Sequence, residues 1–359
     1  MGKIKCGVIG VGNCFAGLYQ GLEYYKRTGK TAVGLMHEQL GDYHWSDIDF
    51  TAAWDVSKKK VGKELSEAQY AHPNFVDYIM DMPKTKVVVS ESPILDGVGK
   101  YVEDWFDPIE QTKSEEELKQ QIIKEIKEKE ISVLVNYLPV GSEKAVKFWA
   151  NIALETKCAF VNCMPVFIAS DEQWHQKFKE AGVPAIGDDI KSQIGATIVH
   201  RVLTKLCDDR GAEVKESYQL NVGGNTDFKN MLERERLISK KISKTESVQS
   251  QLKQRMEEDN LHIGPSDFVP FLKNTKICFI KMNINSWAGV PIKMDMKLEV
   301  DDKANSGGVV VDAIRLAQIA NDRKIGGSID AASAYLFKHP RVQYSDSEAK
   351  DILEKFISS

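Results

Sequence analysis

The feature that most restricts this chain is an apolar run closed by a glycine turn near its start, KIKCGVIGVGNCFAGLYQG (residues 3–21). Residues 3–9 stop at Gly10 and 13–26 continue with helical spacing, so the segment reads strand, glycine turn, helix. Gly10 and Gly12 fall where a missing side chain lets backbone N–H groups approach a pyrophosphate at the positive end of a helix. The same spacing also fits a merely tight turn between a strand and a helix. At the third position, where Gly or Ala is usual, stands Phe15, which should keep the helix further from the strand.

The alternation then repeats. FTAAWDV (50–56) leads into the helix-like SKKKVGKELSEA, and KVVVSES (86–92) precedes a charged helix at 113–129. ISVLVNYLPVG (131–141), EKAVKFWANIALETK, CAFVNCMPVFIA and VPAIGDDI continue the pattern, which specifies a parallel, doubly wound sheet. From about residue 213 the character changes. ESYQLNVGGNTDF alternates as a strand, 228–258 is charged and helical, and 275–300 forms two alternating strands around a Gly-Val-Pro turn. We expect an α/β chain: 1–197 a Rossmann-like dinucleotide-binding domain, 198–304 an inserted α+β catalytic and oligomerisation domain, and 305–359 a C-terminal segment returning to the first domain.

Composition narrows the partners. A net charge of −4 offers no general attraction to nucleic acid or anionic lipid, so a small-molecule ligand is the expectation, with neither nucleic acid nor membrane as partner. No apolar run approaches bilayer length, and the expected location is the cytoplasm. The six cysteines are scattered without a C-x-x-C pair, which favours reduced, mostly buried thiols over disulfides or a structural zinc.

Four patterns carry chemistry. Asp55 ends the second strand, where a carboxylate holds ribose hydroxyls and repels a 2′-phosphate, favouring NAD; it also fits a helix N-cap, and the two roles are compatible. GDDIKSQIGAT (187–197) puts Asp188 and Asp189 at the ligand-binding end of a strand, Asp188 fitting a cap of the next helix and Asp189 a cleft-facing group. Lys240 and Lys244 share a helix face, which suits either a solvated surface or an anion site. LNVGGNTDF (220–228) brackets two glycines with Asn221, Asn225 and Asp227, which suits a polyhydroxylated substrate or a β-bulge with turn-forming residues.

Together and in this order, GVGNC, YLPVGSE, GDDIKSQIGAT, LNVGGNTDF, SKKISKT, HIGPSD and ASAYL resemble the myo-inositol-1-phosphate synthases, in the short form found in bacteria and archaea, from Ile4 to about Pro340. The resemblance implies isomerisation of D-glucose 6-phosphate to 1D-myo-inositol 3-phosphate, with NAD recycled in each turnover, in a homotetramer. It implies Lys240, Lys244, Lys338 and Asp189 as catalytic residues. Gly10, Gly12, Asn13, Cys14, Asp55 and Asp189 are implied for NAD, and Ser192, Gln193, Thr197, Asn221, Asn225 and Asp227 for the substrate. Asp189 and Asp302 share a monovalent or divalent cation in some members. Here Lys303 follows Asp302 where some bacterial members have serine, so an ammonium could take over part of the ion's role. Eukaryotic members have a further lysine near 290, for which Lys293 is a loose match. An ordinary NAD-dependent dehydrogenase acting on a sugar phosphate is the alternative; it shares the glycine turn but needs no lysine cluster.

Overall fold

The structure, a computed structural model, describes residues 2–30, 33–76 and 79–359, with backbone alone for Pro265 and Ser266. Six parallel strands come first: β1 (Ile4–Ile9), β2 (Ile48–Asp55), β3 (Val89–Glu91), β4 (Val133–Asn136), β5 (Ala159–Asn162) and β6 (Pro184–Ile186). They stand in the order β3-β2-β1-β4-β5-β6, the doubly wound arrangement. Its reversal between β1 and β4 opens a crevice at the C-terminal strand ends. Every residue of β4 and β5 is buried, as a sheet covered on both faces requires.

Helix α1 (Asn13–Thr28) follows the glycine turn and packs on one face of the sheet; α2 (Glu115–Glu128), α3 (Glu143–Thr156) and α4 (Glu172–Ala181) cover the other. Phe15 is fully buried, edge-on to Phe50 at 5.0 Å and stacked on Tyr19 at 5.3 Å, so its ring fills the space between helix and strand. Gly17 supplies the close approach instead: a Cβ there meets Ala304 Cα at 3.0 Å. The helix expected directly after Asp55 is reduced to Leu65–Ala68. Asp55 takes the N–H groups of Val56 and Ser57, and the Lys60 ammonium turns inward to Val11 O at 2.7 Å, so 57–63 is wound into turns.

Helix α5 (Ala196–Asp209) leads to a second sheet of β7 (Glu213–Gly223), β8 (Leu261–Phe268), β9 (Thr275–Asn285) and β10 (Pro291–Asp301), in the order β8-β7-β9-β10. Only β7 and β8 run parallel. Cys278, Ile280, Met282 and Ile284 point inward and pack with Cys207 of α5 and with Val248 of α6 (Ile238–Gln249). The opposite face of the sheet leaves Tyr218 and Phe279 exposed. The stretch 228–258 is therefore not one helix: Thr226–Asn230 and α6 are separate, and no helix continues past Gln249 apart from a short turn at 258–260.

Helix α7 (Gly307–Asp322) then returns to the first sheet, where its Val310, Ile314 and Ala317 join the core with Val135 and Val161. A two-residue strand β11 (Gly327–Ser328) pairs with β6, and α8 (Asp330–Leu336) and α9 (Asp346–Ser358) close the chain. Among the described residues no helix is long and apolar enough to cross a membrane.

Candidate active site

The crevice at the strand ends is an open cleft between the first sheet and the second. Gly12, Asn13 and Cys14 form one wall. At Gly10 φ is +90° and a Cβ would meet Tyr137 O at 3.0 Å, whereas a Cβ on Gly12 would meet nothing within 4 Å. No side chain caps α1, so its first-turn N–H groups stay available to a ligand oxygen. The turn therefore fits a pyrophosphate. Asn13 Oδ1 accepts the Phe75 N–H at 2.6 Å and so holds the loop beside it. Asp55 is 5% exposed, and its Oδ2 accepts the Val11 N–H at 2.9 Å, with Lys60 Nζ at 3.8 Å. It steadies the glycine turn, and the Lys60 ammonium offsets its charge.

Five lysines line the opposite wall: Lys240, Lys244, Lys276, Lys303 and Lys338, with Asp189, Asp227 and Asp302 among them. Lys338 Nζ lies 2.8 Å from Asp189 Oδ1, and Ser243 Oγ donates to Asp189 Oδ2 at 2.8 Å. Asp227 Oδ2 takes Lys240 at 2.8 Å and Lys303 at 3.3 Å; Asp302 takes Lys276 at 2.9 Å and Lys303 at 3.0 Å. Burial opposes ionisation of all three carboxylates, but the adjoining ammonium groups outweigh it and hold each below the usual range. Lys303, with two carboxylates on it, is pushed the other way, well above an ordinary lysine despite its burial.

Lys244 is the exception. It is 5% exposed, and among the described residues no carboxylate pairs with it. Burial, then the neighbouring Lys240, Lys276 and Lys338, push its amine well below the ordinary lysine value. A buried amine of this kind can exchange a proton.

Asp189 has φ +62°, a left-handed conformation held by its N–H to Met164 O at 3.1 Å and by the Lys338 N–H to its own carbonyl at 2.8 Å. The second of these ties brings the C-terminal segment to the strand end. Asp188 turns away, accepting from the N–H groups of Ile168, Ala169 and Ser170 rather than capping the next helix.

Several expectations are corrected. Ser192, Thr197 and Asp227 line the cleft, but Gln193 does not; its amide donates to Gly34 O and its N–H to Asn305 O. Asn225 caps Thr226–Asn230 through the N–H groups of Asp227 and Phe228, and Asn221 lies inside the sheet, donating to Gly264 O at 2.9 Å. Gly224 serves packing rather than substrate approach, since a Cβ there would meet Val269 O at 2.4 Å. Lys293 is exposed on β10, outside the cleft. The cation expected between Asp189 and Asp302 does not fit: each carboxylate is occupied by ammonium or hydroxyl donors, and among the described residues no group of three or more His, Cys, Asp or Glu could hold a metal.

Lys276 was not singled out by its sequence. It stands on β9 in the same alternating run as Lys281, which pairs with Asp295 on the outer face. Only the fold separates them.

The chain is 51% identical to the inositol-3-phosphate synthase of Mycolicibacterium smegmatis, over 99% of this chain and 98% of that one. It belongs to the myo-inositol-1-phosphate synthase family. The family model for myo-inositol-1-phosphate synthase matches residues 195–303, the span holding Asp227, Lys240, Lys244, Lys276, Asp302 and Lys303. The inositol-3-phosphate synthase of Corynebacterium glutamicum is 48% identical over 99% of this chain and 98% of its own length. Among solved structures, Ari2 is 30% identical with a TM-score of 0.79, covering 99% of this chain and 98% of its own. The inositol-3-phosphate synthase of Caenorhabditis elegans shares the fold at a TM-score of 0.79 and 14% identity, over 100% of this chain and 86% of that one. Family membership and the enzyme fold thus extend over the glycine turn and Lys338, which lie outside the matched span.

Proposed function

We propose that this chain is an inositol-3-phosphate synthase that isomerises D-glucose 6-phosphate to 1D-myo-inositol 3-phosphate with catalytic NAD. The observation that carries this is the lysine cluster facing a nucleotide-type glycine turn, with one buried amine left without a carboxylate. Gly10, Gly12 and Cys14 would hold NAD, which would supply reversible hydride acceptance at C5 of the sugar and therefore no net redox change.

The residues of the chain do the rest. Five lysines against three aspartates leave an excess of two positive charges when Lys244 is protonated, enough for a phosphate dianion. With Lys244 neutral, its amine can accept the C5 hydroxyl proton as the ketone forms and give it back on reduction. The ketone acidifies C6; the substrate's own phosphate dianion can take a C6 proton, the enolate attacks the C1 aldehyde to form the ring bond, and the proton passes to the resulting C1 alkoxide. Negative charge moves between oxygens throughout, and fixed ammonium groups in a buried cleft stabilise it without reorganising. Thr197, in the first turn of α5, and Ser192, in the loop before it, add polar groups to the cleft.

A net dehydrogenase would use the same glycine turn, but its chemistry gives no task to five clustered lysines. Incubation with D-glucose 6-phosphate and NAD, followed by ³¹P NMR and absorbance at the NADH band, separates the two. Inositol phosphate without accumulating NADH is expected; NADH formed in step with substrate loss would establish the dehydrogenase.

The assembly we propose is a homotetramer. It is supported by the outer face of the second sheet, where Phe279 stands beside Leu220 in register and is 43% exposed.

A further inference from the structure

We propose that Lys303 is a built-in cation that replaces a dissociable metal or monovalent ion in this active site. The proposal rests on the synthase reading above for what the cleft does, but its central test does not need turnover. Asp227 and Asp302 come from different elements, the first from the short helix Thr226–Asn230 and the second from the residue directly after β10. Both carboxylates line the cleft and are partly buried, their side chains 19% and 11% exposed, and two carboxylates so placed repel unless a cation stands between them. Lys303 Nζ occupies that position, 3.3 Å from Asp227 Oδ2 and 3.0 Å from Asp302 Oδ2.

The ammonium is held in place from several sides. Lys303 is 8% exposed, its N–H donates to Asp301 Oδ1 at 2.9 Å, and the Ser306 hydroxyl donates to its carbonyl at 2.9 Å. The next residue, Ala304, lies against Gly17 of α1. The charge is thus fixed between the helix that follows the glycine turn and the lysines of α6, beside Cys14. An ammonium has three donors, and two of them go to Asp227 and Asp302. The third has no acceptor among the described residues and is available to a ligand oxygen in the cleft.

A tethered ammonium differs from a bound ion in two ways. It cannot be chelated or exchanged, and it excludes another cation from the same carboxylates by charge and by volume. The wild-type protein, dialysed against EDTA and then into tetramethylammonium buffer, is therefore expected to bind no Mn²⁺ at the cleft by electron paramagnetic resonance titration. Lys303→Ser is expected to bind about one Mn²⁺ or one NH₄⁺ per chain, the latter followed by isothermal calorimetry. In turnover, wild-type activity should change less than about twofold on adding Mg²⁺, Mn²⁺, K⁺ or NH₄⁺. Lys303→Ser should lose activity on the order of a hundredfold in tetramethylammonium, the scale of one preorganised charge, and regain most of it with one of those cations.

Wild-type protein that binds Mn²⁺ in the cleft, or that needs an added cation, overturns the proposal. So does a folded Lys303→Ser that takes up no cation, whether active or not. If that variant fails to fold, the wild-type Mn²⁺ titration alone decides. A protein that makes no inositol phosphate but shows the expected binding pattern refutes the synthase reading and leaves the tethered cation standing.

Discussion

Lys244 follows Lys240 by one turn on the same buried face of α6, yet only Lys240 has a carboxylate, Asp227 at 2.8 Å. The two are therefore not interchangeable. Lys240 is half of an ion pair that shapes the wall, and Lys244 is an amine whose charge depends on what enters the cleft. We expect Lys244→Ala to lower turnover on the order of a hundredfold or more, with D-glucose 6-phosphate still binding by calorimetry. Because burial and neighbouring cations depress the Lys244 pKa, its proton-accepting form is lost as pH falls through that depressed value. The acid limb of kcat should accordingly disappear in the variant. Near-normal turnover would remove Lys244 from the chemistry.

The glycines of the two loops should respond in opposite ways. Gly12→Ala places a methyl in open space, so stability is expected to change by less than about 0.5 kcal/mol. NAD affinity should weaken on the order of tenfold or more, because the methyl stands where the turn meets the pyrophosphate. Gly224→Ala drives a Cβ into Val269 O and the Lys273 N–H at 2.4 and 2.5 Å, and should destabilise by about 1–3 kcal/mol. Urea unfolding and NAD titration of both variants check this, and an unstable Gly12→Ala would show that the turn serves packing alone.

Asp346 should matter for stability although it does not line the cleft. It accepts from Lys191 at 3.1 Å and from Arg201 at 3.1 Å, cations whose side chains are 2% and 0% exposed. Burial opposes its ionisation, but Lys191 and Arg201 prevail and lower its pKa. Its contribution is then full above the unfolded carboxylate value of about 3.9 and is lost as pH falls through the lower folded value. Asp346→Asn should cost about 3 kcal/mol or more at neutral pH, chiefly by leaving the buried Arg201 without its carboxylate, since burial already pulls Lys191 down to about 7. The difference from wild type should begin to shrink as pH falls past about 3.9 and close only below the depressed folded value. A constant difference across that range in urea melts would refute the linkage.

Assembly gives a further check. Phe279→Asp puts a charge on the outer face of the second sheet beside Leu220. Light scattering after size exclusion should show wild-type tetramers and smaller species for the variant; a monomeric wild type would refute the assembly.

The parallel strands and the glycine turn were legible because they follow from local pattern: apolar runs of strand length, each broken by turn residues. Helical spacing brought Lys240 and Lys244 together but describes a solvated face as well as an anion site; the resemblance decided between the two and added Lys338. Lys276 had no local mark, since Lys281 shares its strand and faces solvent. The resemblance placed Gln193 and Asn225 toward the substrate, and their residue types could not correct it, because a polar side chain looks the same in sequence whether it bonds a ligand or nearby backbone. Asp55 illustrates both at once, sitting at the expected strand end but spent on backbone N–H groups.

The contact between Lys338 and Asp189 joins residues 149 apart in the chain. Closing so long a loop is slow relative to forming local helices, because its entropy is lost before the contact is gained. In refolding from urea, far-ultraviolet circular dichroism should therefore recover before the ability to process sugar phosphate. An immature chain can hold its strands and even its glycine turn while lacking the ammonium opposite Asp189. The polypeptide thus gains its chemistry late, when the C-terminal segment has returned.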